Sequence, residues 1–202
     1  MRKREKKALS RESRFDKRKK TITRTFRIRK EWDDVLQEEA AWQGVSVNVL
    51  LNKILRKFSI YQRWADRNND MNMSQQTLRE ILRTIPVEGL AEAGSKSGAS
   101  DSINIANAMG LTLDYDSFIY LICEHFGGPH FTRWFQCFHH MQGDTDIFHL
   151  QHDLGRGWSV YLERYFLANL RSMTDMDAKA RVYDYAVTFE VTRPRSKHIS
   201  ET

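Results

Sequence analysis

Between Ile22 and Ile28 the chain reads Ile-Thr-Arg-Thr-Phe-Arg-Ile, one side chain turning each way in succession. Thr23, Thr25 and Arg27 fall on one face, and Arg24, Phe26 and Ile28 on the other. This period of two predicts a strand whose Phe26 and Ile28 face a core. From Lys30 the period changes. Trp32, Val35, Leu36, Glu39 and Ala40 follow helical spacing, with Asp33, Asp34 and Glu38 on the wet side. Gly44 is placed to end that helix, and Ser46 to cap the next. Val49, Leu50, Ile54, Leu55 and Phe58 form the second apolar stripe, which can run on to Trp64. One strand and two short helices cannot fold alone. The strand keeps two unpaired edges, and the helices cannot hide Phe26, Ile28, Trp32 and Leu50 from water. Two copies pairing their strands antiparallel about a two-fold axis solve both problems at once. The segment therefore predicts an obligate homodimer.

The same pairing fixes the outer face of the ribbon. Thr23, Thr25 and Arg27 point away from the core, once from each chain. A two-stranded ribbon fits the DNA major groove, where arginine bonds guanine O6 and N7, and threonine offers a hydroxyl or a methyl. Charge supports the same partner. Residues 1–30 hold 15 Lys and Arg against 3 Asp and Glu, a net of +12; the whole chain is +6, which leaves residues 31–202 at −6. A basic head on an acidic body points to a polyanion at one end only. Residues 1–20 have almost nothing apolar to bury and read as a disordered basic arm, whose Lys17, Arg18, Lys19 and Lys20 are placed to reach phosphates. Ser46, Val47 and Asn48 open the second helix, where backbone N–H groups make a phosphate clamp.

At Thr-Phe-Arg-Ile-Arg (25–29), Ala40-Ala41-Trp42-Gln43-Gly44 and Val45-Ser46-Val47-Asn48 the chain resembles the ribbon-helix-helix family of strand readers of DNA. The resemblance implies base contacts from Thr23, Thr25 and Arg27 to double-stranded DNA, and a phosphate anchor at Ser46, Val47 and Asn48. It covers residues 21 to about 66, under a quarter of the chain. Two positions depart from the pattern: Arg24 stands where the family often has an inward apolar residue, and Arg29 where a proline often opens the first helix.

Asn68-Asn69-Asp70 reads as a turn within a linker, 68–73, and residues 74–192 are long enough for a core of their own. Helices are expected at 74–85, 87–94, 101–109 and 114–126, with a small polar loop at 94–100. A hairpin follows: Phe131 to Met141, a turn over Gly143-Asp144-Thr145-Asp146, and Ile147 to His152. A helix at 157–172 carries Trp158, Tyr161, Leu162, Tyr165, Phe166 and Leu170 inward. A closing strand is expected at 182–191, before a polar tail from Arg193. Helices followed by antiparallel strands make the fold class α+β.

Histidines gather in this second region. With the turn centred on Asp144-Thr145, His140 faces His149, and Cys137 faces His152. A metal-responsive reading would use these four, but their spacing matches no strong ligand pattern, and packed or surface histidines are the simpler account. No metal or other cofactor is expected. His152, Asp153 and Ser159 can be drawn as a triad, yet no nucleophile elbow, phosphate loop or pair of acids accompanies them, so no enzyme is expected. A sharp strand-to-helix turn capped by Asp153 or its glycines accounts for the same stretch. Two cysteines, Cys123 and Cys137, are too few for a disulfide framework and fit thiols in a reducing cytoplasm. The basic start leads into no apolar run, and the longest such run, Phe118 to Cys123, is too short to span a bilayer. The sequence thus predicts a cytoplasmic, DNA-binding transcriptional regulator, a repressor in its simplest form, with an effector or oligomerisation domain behind it. Whether dimers pair into tetramers on DNA is left open. The alternatives are an antitoxin-type protein, whose second region binds a protein partner, and the metal-responsive regulator.

Overall fold

The computed structural model describes residues 22–68, 71–128 and 133–193. Lys17, Arg18, Lys19 and Lys20 lie outside them, as do the rest of the expected arm, Phe131 and most of the tail. The chain divides into two units after Leu51, inside its second helix, rather than at the expected 68–73 linker.

In the first unit, residues 22–29 form no strand within the chain, and every one of them is exposed. Helix α1 (Lys30–Trp42) follows, opened by an extended Arg29 and favoured by Glu31 and Asp33 in its first turn. Gly44 ends it with a left-handed backbone, φ +65°. Val45 N–H donates to Ala40 O at 2.9 Å and Gly44 N–H to Ala41 O at 3.1 Å, the paired closure that such a glycine permits. Helix α2 (Val47–Lys57) starts immediately. Ser46 caps it as expected, its Oγ accepting from Val49 N–H at 3.3 Å.

In the second unit the chain continues through one wide (π) turn, Phe58–Gln62, into α3 (Arg63–Asn68). Helix α4 (Gln75–Thr84) begins at Ser74, whose Oγ accepts from Thr77 N–H. Helix α5 then runs unbroken over Val87–Met109. The expected loop at 94–100 is therefore wrong: Gly94 and Gly98 are buried helical positions. Helix α6 (Tyr115–Tyr120), capped by Asp114, passes into a second wide turn, Leu121–Phe126.

Strands β1 (Gln136–Gln142) and β2 (Thr145–Gln151) make the hairpin, helix α7 spans Arg156–Thr174, and β3 (Lys179–Val182) and β4 (Ala186–Thr192) close the chain. The sheet is antiparallel throughout, in the order β1-β2-β4-β3. The single strand expected at 182–191 is thus two strands folded back on each other at Tyr183-Asp184-Tyr185. The hairpin register also differs from expectation. Gly143, at φ +63°, makes a two-residue turn with Asp144, which moves the pairing by two residues. His140 faces Ile147, His149 faces Phe138, and Cys137 faces Leu150. His152 lies beyond the end of β2.

Phe148, Leu150, Val187, Phe189 and Val191 form the apolar face of the sheet and are fully or almost fully buried. Phe118 meets Phe148 edge-on at 5.9 Å, and Phe166 of α7 approaches Phe189. Helix α5 lies along the other side of α7. The expected stripe of α7 is buried at Trp158, Leu162, Tyr165, Phe166 and Leu170, with Tyr161 half-buried. Among the described residues, no helix is long and apolar enough to cross a membrane.

Candidate nucleic-acid interface

The candidate base-reading side chains Thr23, Thr25 and Arg27 stand at every second position of the exposed segment that enters α1. Immediately beside them Arg29 reaches Glu31 at 3.5 Å and stacks over the Trp32 ring at 5.2 Å. Lys30 pairs with Asp34 at 2.8 Å, one turn along the same helix. These exposed pairs contribute little stability, but they leave Thr23, Thr25 and Arg27 outside any ion pair given by the described residues.

At the other end of α1, the tight Gly44 closure leads directly to Ser46, Val47 and Asn48. No acidic residue occupies the first turn of α2, so nothing opposes an anion at its positive end. Ser46 and Asn48 are exposed, and Val47 is half-buried. Ser46 Oγ acts as acceptor in the cap, a role that does not use its O–H as a donor.

Several large apolar side chains of this unit are left in water. Phe26 is 59 % exposed, Trp32 56 %, Val35 62 % and Ile28 39 %, while among the unit's described residues only Ala40 and Leu50 are buried. Exposure on that scale, next to a segment, 22–28, whose backbone pairs with nothing among the described residues, leaves a large part of the unit's described apolar surface uncovered.

The histidines of the second unit are not brought together. His140 is exposed on β1. His149 Nδ1 lies 3.0 Å from Thr188 Oγ1. Cys137 Sγ lies 3.4 Å from Cys123 Sγ. His152 is buried at the entry to α7. Its Nδ1 accepts from Leu154 N–H at 3.2 Å, so its proton sits on Nε2 and is donated to Ser159 Oγ at 2.9 Å. That tautomer holds a turn and gives Ser159 no base. Asp153 is exposed, and Gly155 at φ +84° occupies the cap position, so the glycine rather than Asp153 shapes the turn. No group of three or more His, Cys, Asp or Glu able to hold a metal occurs among the described residues.

Two features were not anticipated. Asp146, expected in the hairpin turn, is fully buried at the start of β2. Burial alone would raise its carboxyl, but hydrogen bonds from Arg193, His139 and Tyr115 hold it below the usual carboxylate range. His139 comes from the paired strand β1, but Tyr115 and Arg193 come from 31 and 47 residues away, so no local signal announces the full cluster. The second is a cleft between α4, the start of α5 and the entry to α7, floored by Leu82, Leu90 and Leu154 and rimmed by Arg79, Arg83 and Arg156. Arg79 is engaged by Asp153 O and Gln76, Arg83 by Glu80, and Arg156 by Asp184.

No protein-family model, curated protein or solved structure matches this chain.

Proposed function

We propose that this protein is a homodimeric, sequence-specific DNA-binding regulator of the ribbon-helix-helix kind, acting most simply as a repressor. The observation that carries the reading is the combination at residues 22–50: an unpaired, alternating, basic segment leads into two capped helices whose apolar residues Phe26, Ile28, Trp32 and Val35 stand exposed in the single chain. A second copy supplies what is missing. Its segment 22–28 pairs with the first, and the four helices cover the four apolar side chains from each chain. Thr23, Thr25 and Arg27 then face outward into the major groove, with Arg27 as the natural guanine reader. Ser46 O–H and the N–H groups of the α2 entry bind phosphate, as do Lys17, Arg18, Lys19 and Lys20.

The second unit supports a regulator over an antitoxin-type protein. Its sheet and helices share a closed core containing Phe118, Phe148, Leu162, Tyr165 and Phe189, rather than an extended segment that needs a partner to cover it.

Selection of bound sequences from a random duplex pool tests the proposal. The expected result is an inverted-repeat consensus, with half-sites related as the two protomers are. Arg27→Ala should lower affinity for that consensus by about 1–3 kcal/mol and relax the choice of one base per half-site, while the dimer stays folded. An Arg27→Ala protein with unchanged selectivity would remove the base-reading role, and a pool without any consensus would remove the sequence-specific reading.

A further inference from the structure

Cys123 lies in the wide turn after α6 and Cys137 near the start of the edge strand β1, fourteen residues apart, with their sulfurs 3.4 Å from each other. Both are free thiols and both are only half-buried. Their approach is built into the surrounding backbone. Trp134 N–H donates to Phe126 O at 3.0 Å, tying the two segments together just inside the cysteines. Gly127 sits so close to Cys137 that a β-carbon there would stand 2.6 Å from Cys137 Cβ. Only a residue without a side chain lets Cys137 reach this position. The sulfurs need to close by about 1.4 Å to reach the bonded separation of about 2.05 Å.

We propose that Cys123 and Cys137 are a redox-modifiable pair, which closes to an intrachain disulfide on reaction with an external disulfide of the glutathione class and reopens with excess thiol. The Cys137 S–H donates to the Cys123 sulfur, and this hydrogen bond, with burial, pushes the Cys137 thiol up. Cys123 therefore reacts first. Its thiolate attacks one sulfur of the external disulfide, forming a mixed disulfide and expelling one thiolate, which takes up a proton. Cys137 then loses its proton to solvent and attacks Cys123 Sγ, expelling the second external thiol. Two protein thiols and one external disulfide become one protein disulfide and two external thiols. The cross-link pins the edge strand β1 to the end of the α6 segment and closes the loop between them.

The test treats the full chain, native and urea-unfolded, with excess oxidised glutathione, and follows intact mass and tryptic peptides without reductant. Cleavage after Arg133 separates the two cysteines, so a linked peptide pair reports the bond directly. The expected result is a monomeric chain product lighter by two hydrogens, formed at least about ten-fold faster in the native than in the unfolded chain, because the fold holds the reacting atoms together. Cys123→Ser and Cys137→Ser should give no linked pair. Gly127→Ala should slow closure in the native chain and leave the unfolded rate unchanged. Equal native and unfolded rates, a reaction that stops at the glutathione adduct, or a bond between two chains would each overturn the proposal.

Discussion

Asn169 sits in the middle of α7 with its side chain wholly out of water, and neither its amide nitrogen nor its oxygen meets a hydrogen-bond partner among the described residues. A buried amide in that state costs about 1–3 kcal/mol, and an apolar group of similar shape removes the cost. Asn169→Leu should therefore raise the urea midpoint by an amount worth about 1 kcal/mol or more, with an unchanged slope. A lowered midpoint would mean that the amide is satisfied in the folded protein. His125 and His152 carry a second expectation. Burial depresses each to about 4 from an ordinary 6.5, so both stay neutral in the folded chain when the unfolded chain is already protonated. The unfolded state binds more protons between those values, and stability must fall as pH drops through that window, by at most about 3 kcal/mol per histidine. Denaturant midpoints taken from about pH 7 down to about pH 4.5 should show the fall, and the double variant His125→Phe, His152→Gln should flatten it. A slope that the double variant leaves unchanged would place the titration elsewhere. At this scale the sequence is legible where chemistry is local. Ser46 caps the residue three positions on, and Gly44 turns the backbone at its own position. Asp146 is not legible, because Tyr115 and Arg193 arrive from distant parts of the chain.

The long helix α5 shows how packing overrides composition. Gly94-Ser-Lys-Ser-Gly-Ala-Ser100 is poor in helix formers and reads as a loop, yet Leu90, Gly94, Gly98, Ser102 and Ala106 are buried at a spacing of four. The small residues let α5 lie directly against the backbone of α7: a β-carbon at Gly98 would stand 2.1 Å from Tyr165 O, and one at Gly94 2.5 Å from Tyr161 O. The stripe is visible in the sequence only to a search for small residues at helical spacing, since it holds few apolar groups. Gly98→Ala should therefore destabilise by about 3 kcal/mol, although alanine by itself favours a helix by about 1 kcal/mol. Gly89→Ala on the same helix is the control. Its β-carbon would meet only Ile85 Cγ2, at an ordinary 3.4 Å, and stability should rise by about 0.5–1 kcal/mol. Thermal midpoints of the two variants should move in opposite directions. Equal shifts would show that α5 does not lie this close to α7. The hairpin register failed at sequence level for a different reason: four polar residues offered several turns, and only the left-handed Gly143 selects the two-residue one.

For the whole molecule, the deciding quantity is the apolar surface that the described residues of one chain leave uncovered. Segment 22–28 reads as a strand from its alternation, and yet it forms no strand in the single chain; a strand needs a neighbour's hydrogen bonds, and under the proposal a second copy provides them. The proposed dimer supplies that partner and buries Phe26 and Ile28 from both chains at once. Each such side chain contributes about 1.5–3 kcal/mol when buried, so replacing both with aspartate should weaken self-association by at least about 100-fold. Sedimentation equilibrium on the full chain measures this directly: the natural protein is expected as a dimer, Phe26→Asp with Ile28→Asp as a monomer, and Arg27→Ala as a dimer still. Circular dichroism separates loss of pairing from general unfolding, since the second unit has a core of its own and should keep its helices and sheet. DNA binding should fall with dimerisation, because one chain presents half of the reading face. Removal of residues 1–20 acts differently. It should leave the dimer intact, weaken binding to every sequence alike, and reduce the salt dependence by on the order of one unit of slope for each phosphate that the arm no longer neutralises. A doubly substituted monomer that still selects the same inverted repeat at full affinity would break the link between dimer and function. A truncated chain with an unchanged salt slope would instead take the basic arm out of the interface and leave the ribbon in place.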